Sequence, residues 1–391
     1  MAFAEEVVVV GGGIGGLATA LSLSLSGTAE RIRILERSDE FGEIGAGLQL
    51  APNALYALEQ LGIDEAAISQ YAFYPGRLVL MDALSGELIT ALDLGDPFQA
   101  RYRQRYTVMH RGDLLQLLLS AAKERADIEL CPAATVVDAA TDGRTATVDT
   151  AEGGHYQGDL VVGADGLRSV LREKIVPGGE PVLSGYVSYR GTLPFDQLAD
   201  VAGGEDVLCW IGPQMHLVQY PIRRGDLYNQ VVCFHSDRHR PDSDDWGTPD
   251  EIDGHYVDAC PDVRAGVALI DRERHWKMAD REPVDCWTRG RLALLGDAAH
   301  PMLQYVAQGA CQALEDAVYL GKSLAESQTV EGALEAYEKE RVPRTARVQR
   351  SARNFGEFLH LDGAGARVRN YLLRSRNSGD YSESDWLHGY R

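Results

Sequence analysis

Glu6-Val7-Val8-Val9-Val10-Gly11-Gly12-Gly13-Ile14-Gly15-Gly16, running on to Ile34-Leu35-Glu36-Arg37, commits the start of this chain to a parallel α/β sheet. Val7 to Val10 is a short apolar, β-branched run of the kind buried on both faces of a central parallel strand. Gly11, Gly13 and Gly16 form G-x-G-x-x-G. The first allows a tight turn, the second lets backbone approach a pyrophosphate, and the third lets the following helix pack closely on the sheet. Ile14, Leu17, Ala18, Leu21 and Leu25 then recur at helical spacing on one face. Arg31 to Leu35 resumes a strand, and Glu36 stands 20 residues past Gly16, where a carboxylate can accept hydrogen bonds from a ribose hydroxyl. A merely glycine-rich loop is the bland alternative. The strand before, the helix after and the acid in place argue against it, so this end is expected to bind a dinucleotide through Gly11, Gly13, Gly16, Glu36 and the adjoining Arg37.

Bulk properties narrow the partners. A chain of 391 residues can carry two or three domains and a large core. A formal net charge of −20 argues against broad binding to a phosphate backbone and against docking on anionic membranes; it fits a well-solvated acidic surface. No apolar stretch approaches the length that crosses a bilayer, and Met-Ala-Phe-Ala-Glu-Glu lacks the basic and apolar regions of a signal peptide, so a cytoplasmic location is expected. The six cysteines (131, 209, 233, 260, 286, 311) show no C-x-x-C and no metal-site spacing, and read as mostly buried, reduced thiols.

Further along, Phe41 to Leu50 carries glycines 42, 45 and 47, a loop that either passes close to a flat or phosphorylated group or simply turns. Alternation from Arg77 to Asp93 around Ser85-Gly86 predicts a hairpin. Leu160-Val161-Val162-Gly163-Ala164-Asp165-Gly166 is a second buried strand ending in a glycine turn. From Gly185 to Trp276 several runs, including Val207–Ile211, His216–Tyr220 and Tyr228–Phe234, read as an antiparallel sheet inserted into the dinucleotide domain. The segment from Arg238 to Asp253 reads as an exposed loop leading to a helix. The α/β texture returns at Arg291–Pro301, with Gly296-Asp297, and a helix follows from about Ala310 to Leu324. The tail is expected to be helical to about Leu373, then polar and either loose or lying on a partner. The expected organisation is a first part of the dinucleotide domain over 1–180, with a β excursion near 73–105, then a substrate sheet over 181–280. A return to the first domain over 281–330 and a helical segment over 331–391 complete it.

Three glycine turns, each after a buried strand, stand out: Gly11–Gly16, Gly163–Gly166 and Gly296-Asp297. In this order and spacing they resemble the single-component aromatic flavoprotein hydroxylases of the p-hydroxybenzoate hydroxylase-like group, over nearly the whole chain. The resemblance implies a Rossmann-like FAD-binding domain carrying an inserted, mostly antiparallel substrate sheet. Gly11, Gly13, Gly16 and Glu36 would hold the ADP half of FAD, and Arg111 would contact the cofactor. Asp165-Gly166 would serve both FAD and reduced nicotinamide, and Asp297 the ribityl chain. Gln49 and Gly47 would lie near the flavin, with the helix at Gly309-Ala310 pointing its positive end at the ring. A nicotinamide dehydrogenase would need one fingerprint and a substrate domain, without the late Gly-Asp turn. The implied chemistry uses NADH or NADPH as reductant, with oxygen activated at flavin C4a.

The protein must then position an electron-rich ring and draw the proton from a ring hydroxyl, a task suited to a histidine of near-neutral pKa. His216 is the candidate, and period-two alternation places it with Val218 and Tyr220 on one strand face. A structural histidine bonded to backbone is the bland alternative. His300 reads as structural or near the flavin, and not as catalytic. The segment His300-Pro301-Met302-Leu303-Gln304-Tyr305 resembles the 3-hydroxybenzoate 6-hydroxylase subfamily, which makes gentisate. Salicylate and 6-hydroxynicotinate hydroxylases usually carry Pro-His where Gln304-Tyr305 stands. Tyr189-Arg190-Gly191-Thr192, His360-Leu361-Asp362-Gly363 and Asp385–Tyr390 agree with the same subfamily. By that resemblance His216 and Gln304 handle the phenol hydroxyl, Tyr220 lines the pocket, NADH is the reductant and the protein is a homodimer. Gln308 departs from an expected small residue and Met302 from an expected proline. The alternatives are a salicylate hydroxylase-type enzyme or a hydroxylase of another phenolic or N-heteroaromatic substrate. A flavin-dependent dehydrogenase or reductase and a non-enzymatic FAD-binding protein come from different classes.

Overall fold

The computed structural model describes residues 4–42, 45–198, 204–240 and 242–390. Its organising layer is a six-stranded sheet. Strand Ala4–Val10 lies at its centre, flanked in parallel by Ala29–Leu35 on one side and Leu160–Gly163 on the other. Leu292–Leu294 continues the parallel order beyond Leu160–Gly163, and Ile128–Cys131 beyond Ala29–Leu35. Val8 and Val9 are fully buried, as a central strand covered on both faces requires.

The register explains why three turns distant in sequence converge. Val10 pairs with Gly163, and Gly163 with Leu294. The three adjacent strands therefore end on one sheet edge, each running directly into its glycine turn. In open α/β sheets, ligands bind beyond this edge. Helix Ile14–Ser26 covers one face together with helix Gly309–Glu326. Their approach is so close that a Cβ on Gly321 would lie 2.2 Å from Ser22 Oγ.

The second layer is a seven-stranded, mainly antiparallel sheet built from strands between Val182 and Asp280 plus the hairpin Arg77–Asp82/Leu88–Asp93. That hairpin falls within the expected β excursion, and it extends the edge of the second sheet, with Arg77–Asp82 running parallel to Val207–Gly212. Burial of Val79 and Leu80 drives it there.

Two local expectations are corrected. The stretch 238–253 is exposed at Arg238, Arg240, Asp242, Asp244 and Asp245 and leads to a helix as expected, but it is anchored midway by the fully buried Trp246, and the helix already begins at Pro249. The position Pro241 lies outside the described residues. The tail is not loose: beyond helix Gly363–Arg374, Tyr381 and Leu387 are buried and Asp385 pairs with Arg101 of helix Asp96–Tyr102. Apolar surface at Tyr381, His388, Phe98 and Tyr102 meets in edge-to-face ring contacts that fix this return. Helix Val330–Leu359 spans the molecule and ends at His360. No helix among the described residues is long and apolar enough to cross a membrane.

Candidate functional site

A continuous cavity of about 1780 Å³ runs from the first glycine turn to the inner face of the second sheet. At its near end, Gly11 adopts φ +106°, and a Cβ there would lie 2.4 Å from Ala164 O. Only glycine fits. Gly13 is the reverse case, since a Cβ would point into open space and its absence leaves backbone bare toward the cavity. Gly13 also caps helix Ile14–Ser26 without any side-chain acceptor, so the first N–H groups of that helix are available to an anion. Gly16 does not line the cavity; a Cβ there would sit 1.9 Å from Gly11 O, so this residue holds the turn against the helix. Glu36 closes the second strand and accepts from Gly12 N–H at 2.8 Å and Ser38 N–H at 2.9 Å. Arg37 extends beside it, exposed to the cavity.

The other turns complete one wall. Asp165 Oδ2 accepts from Val170 N–H at 2.8 Å, capping helix Val170–Ile175, while Oδ1 has no partner among the described residues. Burial pushes the Asp165 carboxyl above the ordinary aspartate range. Gly296 N–H donates to Asp316 Oδ2, leaving Asp297 exposed on the cavity side. Helix Gly309–Glu326 starts at the same wall, with no side chain capping its N-terminus, so its positive end faces the cavity through Gly309 and Ala310. Arg111 and Gln49 line the opposite side, and Gln49 Oε1 accepts from Tyr106 Oη at 2.6 Å.

Gln308, a departure from the expected small residue, is buried and accepts from Asn53 Nδ2 and Gln312 Nε2, both at 2.9 Å, stitching two helices together. His300 pairs through Nε2 with Asp316 at 2.5 Å, and Arg341 binds the other Asp316 oxygen at 2.7 Å. Against the opposing effect of burial, His300 and Arg341 hold the Asp316 carboxyl down to about 2.

At the far end, strand Met215–Ile222 brings His216, Val218 and Tyr220 to the cavity, as period-two alternation requires. Tyr220 lies over Gly47, where a Cβ would meet its ring at 2.7 Å. Asn229 Oδ1 accepts from Gly47 N–H at 2.6 Å, fastening the loop to the second sheet. Burial lowers the His216 pKa to about 3, which corrects the expectation of a near-neutral base: in the ligand-free site this ring is uncharged. Its Nδ1 lies 2.8 Å from His360 Nε2. Burial raises the Tyr220 hydroxyl, which therefore stays protonated.

Gln304 is held by Arg190, whose Nη2 donates to Gln304 Oε1 at 2.6 Å, while Gln304 Nε2 donates to Cys233 Sγ at 3.4 Å. In the sequence Arg190 belongs only to the stretch Tyr189-Arg190-Gly191-Thr192, and its position is unusual. It makes no ion pair with a carboxylate among the described residues; its contacts are Gln304, Ser188 Oγ and the Trp276 ring. Burial lowers its pKa, as expected for a guanidinium with no counter-ion. The string carries no signal for it, because whether a strand arginine meets a carboxylate depends on where folding leaves the acids.

One cavity thus joins a dinucleotide cradle to a chamber holding an uncompensated cation, a neutral histidine and a carboxamide. Glycine backbone, helix N-termini and Glu36 match the diphosphate and ribose of FAD in chemistry.

A family profile described as "FAD binding domain" matches residues 4–352. The chain is 39% identical to the 3-hydroxybenzoate 6-hydroxylase of Polaromonas naphthalenivorans (strain CJ2), over 98% of this chain and 96% of that one. It is 38% identical to the 3-hydroxybenzoate 6-hydroxylase of Klebsiella oxytoca, over 100% of this chain and 98% of that one. Among solved structures, Klebsiella pneumoniae HpxO complexed with FAD and uric acid superposes with a TM-score of 0.86 at 25% identity, covering 98% of this chain and 96% of that one. With cradle, sheet order and profile in agreement, this chain belongs to the FAD-binding-domain family, as an FAD-dependent aromatic hydroxylase.

Proposed function

We propose that the protein converts 3-hydroxybenzoate to 2,5-dihydroxybenzoate (gentisate), using O2 and NADH. The observation that carries this reading is the pairing of Arg190 with His216 and Gln304 around one chamber. An aromatic acid supplies the carboxylate that Arg190 lacks, and a phenol supplies the hydroxyl that a neutral histidine and a carboxamide can address. The names of the Polaromonas naphthalenivorans and Klebsiella oxytoca relatives support the same substrate.

FAD, when bound, supplies the oxygen activation. The chain's residues do the rest. Gly11, Gly13 and Glu36 anchor the adenine end, with Gly16 shaping the turn. Arg37, Gln49, Arg111, Asp165, Gly166, Asp297, Gly309 and Ala310 surround the remainder of the cofactor. Arg190 orients the acid, and His216 with Gln304 binds the phenol hydroxyl and accepts its proton, which raises the ring's nucleophilicity. Tyr220 closes the chamber next to Gly47 and keeps water out. The reductant visits transiently, since only one dinucleotide fingerprint is present.

A homodimer fits the apolar face left by Val368, Tyr371 and Leu372 on helix Gly363–Arg374, and light scattering gives its mass. Six free thiols and a nicotinamide reductant suit the cytoplasm.

The deciding experiment is a substrate panel scored for NADH and NADPH oxidation, oxygen uptake and product. 3-Hydroxybenzoate should stimulate NADH oxidation and yield gentisate. Stimulation by salicylate with catechol as product, and none by 3-hydroxybenzoate, would refute the substrate assignment. Equal turnover without oxygen would make the protein a reductase.

A further inference from the structure

We propose that His216 and His360 form a two-ring proton relay that carries the phenol proton from the chamber to solvent, with both rings neutral before and after transfer. The proposal rests on His216 as the group that receives that proton.

The geometry begins with a single nitrogen–nitrogen contact. His216 Nδ1 lies 2.8 Å from His360 Nε2, and the rings lie offset at 5.0 Å with 25° between their planes. His360 is the C-terminal cap of helix Val330–Leu359, and its carbonyl accepts from Gln214 N–H at 3.3 Å. Gln214 is two residues from His216, so the helix end and the strand are tied together beside the contact. On its other side His360 stacks on Tyr186 at 4.5 Å, and Tyr305 presents its edge to both histidines. Four elements thus fix two imidazoles in register.

Burial lowers His216 to about 3 and His360 to about 2, so neither ring is charged near neutrality. Two neutral imidazoles sharing one hydrogen bond have only two arrangements. If His360 donates, His216 carries its proton on Nε2 and presents a donor to the chamber. If His216 donates from Nδ1, its Nε2 is bare and can accept from a phenol. Proton acceptance selects the second arrangement, which makes His360 the group that sets the catalytic tautomer.

A ring held near pKa 3 is a poor resting place for a proton, and the contact supplies the way out. The phenol O–H bond breaks as His216 Nε2–H forms. His216 Nδ1–H breaks as His360 Nε2–H forms, and the His360 Nδ1 proton leaves to water. No ring is left cationic, and both tautomers have switched; returning a proton to the product phenol resets them. His360 retains 7% exposure, and its Nδ1 makes no hydrogen bond among the described residues. The charged and titratable groups facing His360 are His216 from its strand, Tyr186 and Tyr305 by their rings, His235 from strand Leu227–His235, and Arg369 from helix Gly363–Arg374. Arg369 and His235 oppose a cation there, which favours passage over storage.

The test uses the FAD-loaded full-length chain with 3-hydroxybenzoate, comparing wild type, His216→Ala, His360→Ala and His360→Gln. FAD content and ligand-induced change in the flavin spectrum are recorded for each. His360→Ala and His360→Gln should retain FAD and ligand binding while hydroxylation falls by about tenfold or more, at the weaker end of proton-transfer catalysis. The loss should shrink as pH rises and hydroxide replaces the relay. Added imidazole should restore His360→Ala but not His360→Gln. If His360→Gln matches wild type across the pH range, or if both variants lose activity with an unchanged pH profile and no imidazole rescue, His360 is only a packing residue and the relay is wrong. If wild type itself is not stimulated by any phenolic acid, or His216→Ala is fully active, the failure lies with the assignment of His216 instead.

Discussion

Replacing Arg190 by methionine separates substrate recognition from stability. Arg190 is a half-buried guanidinium without a carboxylate partner among the described residues, bonded to Gln304 and Ser188. Exchanging a poorly compensated buried charge for an apolar side chain of similar volume is often neutral or stabilising by about 1–4 kcal/mol. Leaving Gln304 Oε1 without its donor costs about 1–3 kcal/mol in the other direction. The two effects nearly cancel, so the ligand-free melting temperature should move by only a few degrees.

Ligand binding should respond very differently. Removing one partner of a buried hydrogen-bonded charge pair costs about 2–5 kcal/mol, and at 1.4 kcal/mol per tenfold this weakens binding by roughly 30-fold to more than 1,000-fold. Titrating the flavin absorbance with 3-hydroxybenzoate and with 3-methylphenol, the analogue without a carboxylate, isolates the charge. Wild type should prefer the acid strongly, and Arg190→Met should bind both about equally. Retention of the acid's advantage within about threefold in the variant would refute Arg190 as the counter-ion.

Other perturbations test separate parts of the site. His216→Ala should lower hydroxylation by about 10²-fold or more with FAD still bound, the scale for losing a general base, as read by product formation against flavin content. Gly16→Ala places a methyl 1.9 Å from Gly11 O, so the purified variant should be colourless or bind FAD far more weakly. Arg341→Leu takes from buried Asp316 its guanidinium partner and leaves Glu315 with Arg344 alone, a loss of about 3–5 kcal/mol that should appear as a clear fall in melting temperature. His216, His360 and His388 are lowered to about 3, 2 and 4, each below the unfolded value of 6.5. Their contribution to stability is therefore complete above pH 6.5 and lost as pH falls through the folded values. Melting temperature measured against pH should decline from about pH 6 downward, and more shallowly in His388→Phe.

Local sequence carried the cradle. Gly11 and Gly16 sit where backbone sterics demand glycine, and Gly13 where bare backbone faces the cavity; those constraints act over a few residues, so a short string reveals them. Alternation likewise placed His216, Val218 and Tyr220 on one strand face, because strand periodicity needs no partner. The convergence of the three glycine turns could only be associated by resemblance. Its cause is the register that sets Val10, Gly163 and Leu294 side by side, a relation between segments more than a hundred residues apart.

Proton affinity and charge compensation were decided by tertiary packing alone. In sequence, His216 is a histidine of ordinary pKa. Enclosure by the second sheet, Tyr305 and the end of a distant helix lowers it to about 3 and gives it His360 as a partner. Arg190 shows no sign in the string that its cation will be buried without a counter-ion, because that depends on every carboxylate that folding leaves elsewhere. The tail reads as loose or lying on a partner for the same reason: Tyr381 and His388 find apolar partners only when Phe98 and Tyr102 are brought to them. The sequence determined where a dinucleotide would lie, since backbone geometry is local. Folding decided what the other end of the cavity can recognise, since electrostatic environment is the sum of everything packed around it.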